Sequence, residues 1–280
     1  MIVSHINIFE QDINDKDIQQ MLCAVYDNIR FSTFPYLTYK CETSEDAMNK
    51  FNSGNCIALS YFIKSFLKRN MNIESSIICA SVPDIFKVEN TPHACHCALL
   101  VPKSEHEFYI VDTAFSFLSG MYCDIENNVR RKIECSDIYS YKNQTIQYRM
   151  RGCENEVIDE KFGQTLMPDS LKIECCFDFD RNQRWNYYLN EVQNPDESIG
   201  SHFLKQKSRP FILYTYYDHD ESKVKLMFKL YINQEGYLVM KEYPEGNVVF
   251  STENATDEQV QQMKNVVLKY MPGHFDDYIV

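Results

Sequence analysis

Three residues, Cys56, His96 and Asp112, have the types and positions that covalent catalysis by a thiol requires. Cys56 follows Ser53-Gly-Asn55 and precedes a long apolar run, a pattern that predicts a thiol at a helix N-terminus. The backbone N–H groups and the dipole at that end of a helix lower the pKa of a thiol. A thiolate, an imidazole beside it and a carboxylate that orients the imidazole form the nucleophile, base and orienting group of covalent catalysis.

Each of these residues also has an ordinary structural interpretation. A free cysteine is often a small core residue, and a histidine or an aspartate can serve a core contact or a turn. The order is more specific: a Gly-x-Cys at a helix start, then a histidine in a strand, then an aspartate ending the next strand. A metal site is a weaker interpretation, because strand alternation places Cys95 and Cys97 on the face opposite His96. We therefore expect no metal.

The helices that must position these residues follow from the spacing of apolar side chains. Helical spacing predicts four helices, over residues 15–29, 44–51, 55–69 and 257–270. We expect Asp15 to cap the first helix, and Thr256 with Gln259 to form a capping box for the last. The helix over 55–69 is apolar on most sides, which predicts a central, buried position.

The remaining sequence is rich in predicted strands. Apolar or alternating runs predict strands over residues 73–82, 94–101, 108–114, 145–150, 171–179, 185–190, 211–217, 223–232 and 237–243. The run over 223–232 alternates apolar and polar side chains, which is typical of a half-buried strand. A helix packed against antiparallel strands, followed by several short strands, indicates an α+β protein with a small barrel or sandwich.

Composition narrows the class of protein. The 280 residues, 44% hydrophobic and 24% charged, are typical of a globular protein of one to three domains. The net charge of −12 argues against a nucleic-acid partner, because phosphate binding needs a basic face. We expect no membrane partner, since no apolar stretch approaches the roughly 18 to 20 residues that span a bilayer. Eleven irregularly spaced cysteines and a start unlike a secretory signal predict free thiols in the cytoplasm.

The segments around the three residues resemble the arylamine N-acetyltransferases, and more distantly the transglutaminase-like proteins. The matching segments are Gly54-Asn-Cys56, His96-Cys-Ala-Leu-Leu-Val101 and Tyr109-Ile-Val-Asp112-Thr-Ala-Phe115. The family has Gly-x-Cys, His-x-x-Leu-Leu-Val and Tyr-x-Val-Asp-x-Gly-Phe at nearly these spacings. Trp185-Asn-Tyr-Tyr188, the segment 196–210 and the terminal helix also follow in family order.

This resemblance implies the papain-like fold, an α+β architecture in three parts. The N-terminal helical bundle would span residues 1–80 and carry Cys56. A β-barrel domain over 81–205 would carry His96 and Asp112. An α/β lid that ends in the terminal helix would span residues 206–280.

The resemblance also implies an activity. The family transfers an acetyl group from acetyl-CoA to an arylamine, a hydrazine or a related amine through a cysteine thioester, in a ping-pong cycle. A CoA thioester and a small amine would then be the partners, and we expect a monomer or weak dimer. Phe115 and Phe117 are candidates to line the amine pocket. In the family the barrel approaches the acyl donor near the positions of Ser201, His202 and Phe203.

Three departures from the family pattern bear on substrate preference more than on the triad. The chain has Asn52-Ser-Gly54 where the family usually has Arg-Gly-Gly, and apolar residues follow Cys56 where the family has polar ones. Ala114 replaces a glycine after the aspartate. Two alternatives stay open. One is a transglutaminase-like amidase or cysteine peptidase that uses the same triad without CoA, and the other is a non-catalytic interaction protein on this fold.

Overall fold

The computed structural model describes residues 11–87, 91–113, 115–126, 131–134, 145–152, 157–159, 164–166, 171–177, 183–200 and 209–270. Its α-helices are α1 Asp15–Asn28, α2 Phe34–Leu37, α3 Ser44–Phe51, α4 Cys56–Phe66 and α5 Asp257–Tyr270. Shorter helical turns cover Leu67–Met71, Asp84–Phe86 and Asp196–Gly200. Within the described residues, no helix has the length and apolar character needed to cross a membrane.

In the described part of the chain, the strands form two large sheets and one small hairpin. They are β1 Arg30–Ser32, β2 Ser53–Gly54, β3 Ser76–Ala80, β4 His96–Pro102, β5 Glu107–Val111, β6 Met121–Asp124, β7 Arg131–Glu134, β8 Thr145–Gly152, β9 Val157–Asp159, β10 Gln164–Leu166, β11 Leu171–Phe177, β12 Arg184–Glu191, β13 Phe211–Asp218, β14 Lys223–Ile232, β15 Leu238–Glu242 and β16 Asn247–Ser251. Eight strands pair in the order β6-β5-β4-β3-β12-β11-β8-β7, and six in the order β16-β15-β14-β13-β1-β2. The pairing is antiparallel throughout except between β1 and β2.

The eight-stranded sheet curls into a nearly closed barrel. The hydroxyl of Tyr148 on β8 donates a hydrogen bond of 2.9 Å to the carbonyl of Tyr122 on β6, which joins strands near opposite ends of the sheet. The side chains inside are large and apolar, and they include Trp185, Tyr187 and Phe117. The predicted α+β architecture with a barrel is therefore confirmed.

Helix α4 lies at the centre of a second core, as its sequence predicts. Ile57 and Ala58 are completely buried. One side of the helix packs on β4 and β3 of the barrel sheet, and α3 and β2 also contact the helix. The first five residues of α4 are buried, whereas Ser65 near its C-terminal end is exposed.

Two predicted helix boundaries are wrong in detail. Asn14, and not Asp15, caps α1: its side-chain oxygen accepts from the N–H groups of Lys16 and Asp17 at 3.0 and 3.2 Å. Asp17 accepts in return from the N–H of Asn14, which completes a capping box. The helix predicted over 55–69 leaves α-geometry after Phe66 and continues as a π-helical turn. The capping box of α5 is confirmed.

Several short strands escaped the sequence analysis. β1 and β2 have three and two residues, too few to show an alternating pattern. β1 exists because it pairs with β13, which lies far along the chain. β3 belongs to the barrel sheet although it precedes residue 81, the predicted start of the barrel domain. The three domain boundaries themselves stay a prediction.

The turn that leads into α4 leaves no room for a side chain at Gly54. A Cβ atom added there would lie 2.4 Å from the Cβ of Ala58 and 2.9 Å from the hydroxyl of Tyr36. Ala58 is fixed within the buried helix, so it cannot give way. Position 54 therefore requires glycine because of this close approach. The residue of this turn with left-handed backbone geometry is Asn52, with φ of 46°.

We predict that Gly54→Ala lowers the free energy of unfolding by about 1–3 kcal/mol, the usual cost of overpacking a core. Ala58→Gly alone should cost about 1 kcal/mol, because glycine is a poor helix former. The double variant should lose less free energy of unfolding than the two single losses added together, since removal of the Ala58 Cβ relieves the worst clash. Urea unfolding of the three variants measures this, and strict additivity would contradict the packing argument.

Candidate active site

Cys56 is the first residue of α4, as the sequence predicts. Asn55 caps the helix, and its side-chain oxygen accepts from the N–H groups of Ile57 and Ala58 at 3.0 and 3.2 Å. At the first position of a helix, the N–H of Cys56 has no acceptor in a preceding turn. The sulfur therefore lies where the helix dipole favours negative charge.

A buried hydrogen-bond network holds the loop that presents Cys56. The hydroxyl of Tyr36 donates to the side-chain oxygen of Asn55 at 3.0 Å, and the hydroxyl of Ser44 lies 3.2 Å from the same oxygen. The carboxylate of Asp196 accepts from both the hydroxyl and the N–H of Ser44, at 2.5 and 3.0 Å. Residues distant in sequence thus fix the helix cap.

His96 and Asp112 form the second half of the site. His96 begins β4 and Asp112 follows β5, so the two side chains reach the same end of adjacent strands. Nε2 of His96 lies 2.6 Å from Oδ2 of Asp112, and the hydroxyl of Tyr187 donates to that same oxygen at 2.5 Å. The ring of Phe115 meets the imidazole edge-on, with centroids 5.6 Å apart. The imidazole is therefore fixed in position and orientation.

The sulfur of Cys56 and the imidazole of His96 are in hydrogen-bonding contact. Burial opposes the charged form of His96, but the charge and hydrogen bond of Asp112, together with Cys56, raise the pKa of His96 above its usual value. Hydrogen bonds from Cys97 and His96 outweigh burial and lower the pKa of Cys56. Both shifts favour a thiolate paired with an imidazolium.

Cys97 is a partner of Cys56 that the sequence analysis missed. It follows His96 in β4 and faces the opposite side of the strand, toward α4, as alternation predicts. Its thiol hydrogen-bonds to the sulfur of Cys56, and its sulfur lies 3.6 Å from the hydroxyl of Ser60, one turn further along α4. The start of α4 thus places Cys56 between His96 and Cys97.

An apolar cavity of about 300 Å³ lies in front of Cys56 and His96. Its described lining contains no Lys, Arg, Asp or Glu side chain. The lining residues are Val25, Tyr26, Ile29, Phe31, Cys56, Leu59, Val82, Phe86, Cys95, His96, Thr113, Phe115, Ser116, Phe211, Leu213 and Thr215. Such a cavity suits a small aromatic group next to the sulfur.

The other predicted site residues have mixed outcomes. Phe115 lines the cavity, whereas Phe117 packs inside the barrel, and its carbonyl accepts a hydrogen bond of 2.7 Å from Tyr26. The residues expected near the acyl donor, Ser201, His202 and Phe203, lie outside the described residues. So does Ala114, which replaces a glycine of the family pattern. In the described part of the chain, no group of three or more His, Cys, Asp or Glu side chains is arranged to hold a metal.

Two further residues support the site but have no sequence signal of their own. Tyr187 is one of two adjacent tyrosines in strand β12, and the barrel's pairing brings it to Asp112. Asp196 reaches Ser44 from a turn that precedes the second half of the six-stranded sheet. Asn55 is a supporting residue that the sequence could have identified, since Asn directly before a predicted helix is a preferred N-cap residue.

Solved structures with a similar fold are arylamine N-acetyltransferases. The Bacillus cereus enzyme NAT3 is 16% identical and superposes with a TM-score of 0.56, covering 93% of this chain and 92% of its own. The enzyme from Mycobacterium abscessus is 12% identical with a TM-score of 0.55, covering 95% of this chain and 86% of its own. This chain has the arylamine N-acetyltransferase fold. No protein-family model matches the sequence, and no curated protein sequence matches it significantly.

Two solved structures with this fold give information about their own active sites. The Mycobacterium marinum enzyme, 13% identical with a TM-score of 0.50 over 96% of this chain and 91% of its own, was solved in complex with CoA. The Bacillus cereus NAT3 structure reveals a Cys-His-Glu catalytic triad, described as unique. In this chain the carboxylate bonded to the imidazole is that of Asp112. The resemblance predicted from sequence is thus confirmed at the level of fold.

We predict that iodoacetamide alkylates Cys56 along a pH curve with a midpoint of about 5, well below the ordinary thiol value of 9.0. Above that pH the sulfur is a thiolate, and its imidazolium partner persists until the pKa of His96, about 10. His96→Gln removes the cation and should shift the midpoint upward. Peptide mass spectrometry measures the rate at each pH.

Two buried cysteines serve as internal controls in the same experiment. Burial raises the pKa of both Cys41 and Cys175, so their alkylation should stay slow at neutral pH. If Cys56 reacted no faster than these two at pH 7, the ion pair would not exist.

Proposed function

We propose that the protein is an acyltransferase that moves an acetyl group from acetyl-CoA to an arylamine, hydrazine or related amine. The observation that carries the proposal is the contact of Cys56 with His96, backed by Asp112 at 2.6 Å, at the wall of an apolar cavity. The fold adds support, because the solved proteins that share it are arylamine N-acetyltransferases and one of them holds CoA.

In the first half of the cycle, the Cys56 thiolate attacks the carbonyl carbon of the acetyl thioester. The tetrahedral oxyanion would be held by backbone N–H groups, of which that of Cys56 at the start of α4 is one. The intermediate collapses with cleavage of the bond to CoA. The CoA sulfur leaves and takes the proton of the His96 imidazolium. The products are acetyl-Cys56, a neutral imidazole and free CoA thiol.

In the second half, the amine nitrogen attacks the carbonyl of acetyl-Cys56. The neutral imidazole of His96 takes the proton that the amine loses. Cys56 leaves as a thiolate, so the imidazolium–thiolate pair is restored along with the amide product. Asp112 occupies Nε2 of His96, which leaves Nδ1 as the ring nitrogen for Cys56 and the substrates.

The size of the cavity favours a ping-pong order. About 300 Å³ is at the lower end for a ligand pocket, so the nucleotide part of CoA must stay outside it. The acetyl group and the amine ring would then use the same space in turn. Departure of CoA before entry of the amine follows from that shared space.

We place this activity in the cytoplasm, in a monomer or weak dimer that contains a helical region over 1–80, a barrel over 81–205 and a lid over 206–280. The nine cysteines in the described part of the chain are free thiols, which suits a reducing compartment.

We predict that mixing the protein with acetyl-CoA, without acceptor, adds one acetyl group to the intact mass. The adduct should be absent in Cys56→Ser and should disappear when an arylamine is added. Cys79→Ser is a matched control, since Cys79 is also buried beside α4 but lies outside the cavity lining. A Cys56 that alkylates rapidly yet accepts acetyl from no CoA thioester would favour the amidase or peptidase alternative. Slow alkylation as well would favour a non-catalytic role.

We predict that neutral arylamines are preferred over carboxylated ones. An aminobenzoate must bring its carboxylate into a lining without a cation, and burial of an unpaired charge costs enough to lower kcat/KM by roughly tenfold or more. Thr215→Lys introduces an ammonium group into the lining and should narrow the difference between an aminobenzoate and its neutral alkyl analogue. Thr215→Met has a similar length without charge and should leave the difference in place. An equal preference in the wild-type protein would contradict this reading of the cavity.

A further inference from the structure

Two thiols, not one, meet at the start of α4. The Cys97 thiol hydrogen-bonds to the Cys56 sulfur, and a backbone hydrogen bond from Cys97 reaches that sulfur as well. Both side chains are buried, and the hydroxyl of Ser60 holds the Cys97 sulfur from the side of the helix at 3.6 Å. The cycle proposed above uses Cys56 and has no task for the second sulfur.

The two thiols differ in charge and in access. Burial and the negative charge of Cys56 raise the pKa of Cys97, so Cys97 stays a thiol while Cys56 is a thiolate. Cys56 lines the cavity and Cys97 does not. A small electrophile that enters the cavity therefore meets the reactive sulfur first, with a protonated thiol directly behind it.

We propose that Cys56 and Cys97 form a modification site for hydroperoxides, in which Cys56 is oxidised first and Cys97 closes a disulfide with it. The proposal rests on the proposed function only in taking the same Cys56 thiolate as nucleophile. It assigns this pair a second reaction with a different substrate class.

The first step is attack of the Cys56 thiolate on the distal oxygen of a hydroperoxide, ROOH. The O–O bond breaks, the alkoxide takes a proton from the His96 imidazolium, and the products are Cys56 sulfenic acid and ROH. In the second step the Cys97 sulfur attacks the Cys56 sulfur and releases its thiol proton. The S–O bond breaks, and hydroxide leaves and recovers that proton as water. The two sulfurs lose two electrons in total, and the peroxide gains them.

The position of Cys97 favours this disulfide over the alternatives. Cys79 is opposite Cys97 in the pairing of β3 with β4, and it also faces α4. Cys79 does not line the cavity, and it is Cys97 whose thiol hydrogen-bonds to the Cys56 sulfur. Cys95 does line the cavity, but it precedes β4.

Closure of the disulfide would have two consequences. It removes the thiolate that accepts the acetyl group, so transfer stops until a dithiol reductant reopens the bond. It also shields Cys56 from further oxidation to the sulfinic acid, which ordinary thiols do not reverse.

The experiment treats the reduced full-length protein with a small excess of hydrogen peroxide, blocks remaining thiols with N-ethylmaleimide and maps peptides without reduction. We expect the intact mass measured before blocking to fall by two hydrogen atoms, and the peptide map to contain a peptide linked through Cys56 and Cys97. Dithiothreitol should restore both thiols. In Cys97→Ser, which keeps a hydroxyl donor beside Cys56, a sulfenic acid that dimedone traps should accumulate instead and proceed to the sulfinic acid.

Cys79→Ala is the matched control and should form the same Cys56–Cys97 link as the wild-type protein. A wild-type protein that accumulates Cys56 sulfenic acid as Cys97→Ser does, or that links Cys97 to Cys79, would overturn the proposal. The acetyl-CoA adduct, measured on the same wild-type preparation, separates the two proposals. An adduct without the disulfide sinks this inference alone, and a disulfide without the adduct sinks the transferase alone.

Discussion

The structure depends on keeping three charges stable where almost no water reaches them. Cys56, His96 and Asp112 are 3%, 4% and 3% exposed. An unpaired charge at such depth costs several kcal/mol, so each group must have partners that match it. The imidazolium lies between two anions. Tyr187 donates a hydrogen bond to the carboxylate of Asp112. A hydrogen bond from Cys97 and the N-terminus of α4 stabilise the thiolate. Removal of one partner leaves the others buried and uncompensated.

The chain holds the start of α4 without the Arg-Gly-Gly run of the family pattern. The Asn55 cap, the Tyr36 and Ser44 hydroxyls and the Asp196 carboxylate connect the helix start to the turn after β12. Gly54 permits that arrangement, since any larger residue would displace the Tyr36 hydroxyl. The departure of residues 52–54 from the family pattern is therefore consistent with an intact helix start, because other side chains hold it.

The elements that carry the triad were predictable, and the residues that complete it were not. A helix start, a strand and a strand end each have a local signal, so the positions of Cys56, His96 and Asp112 followed from short segments. Tyr187 and Asp196 have no such signal, because barrel closure and a long-range contact bring them into place. For Cys97, alternation gave the correct face of β4, but the packing of α4 against that face determines its partner. β1 and β2 are likewise products of pairing rather than of local preference.

The Cys97 contact also bears on how well the proposed transfer would proceed. A hydrogen bond to the thiolate lowers its basicity, and a less basic thiolate is a weaker nucleophile but a better leaving group. Acetyl-CoA is a reactive donor that a weaker nucleophile can still attack, whereas arylamines are poor nucleophiles that gain from a good leaving group. Stabilisation of the Cys56 thiolate therefore favours the second half of the cycle, the release of the acetyl group. Acetylation neutralises the sulfur and removes the anion to which Cys97 donates, so the restored hydrogen bond favours product formation.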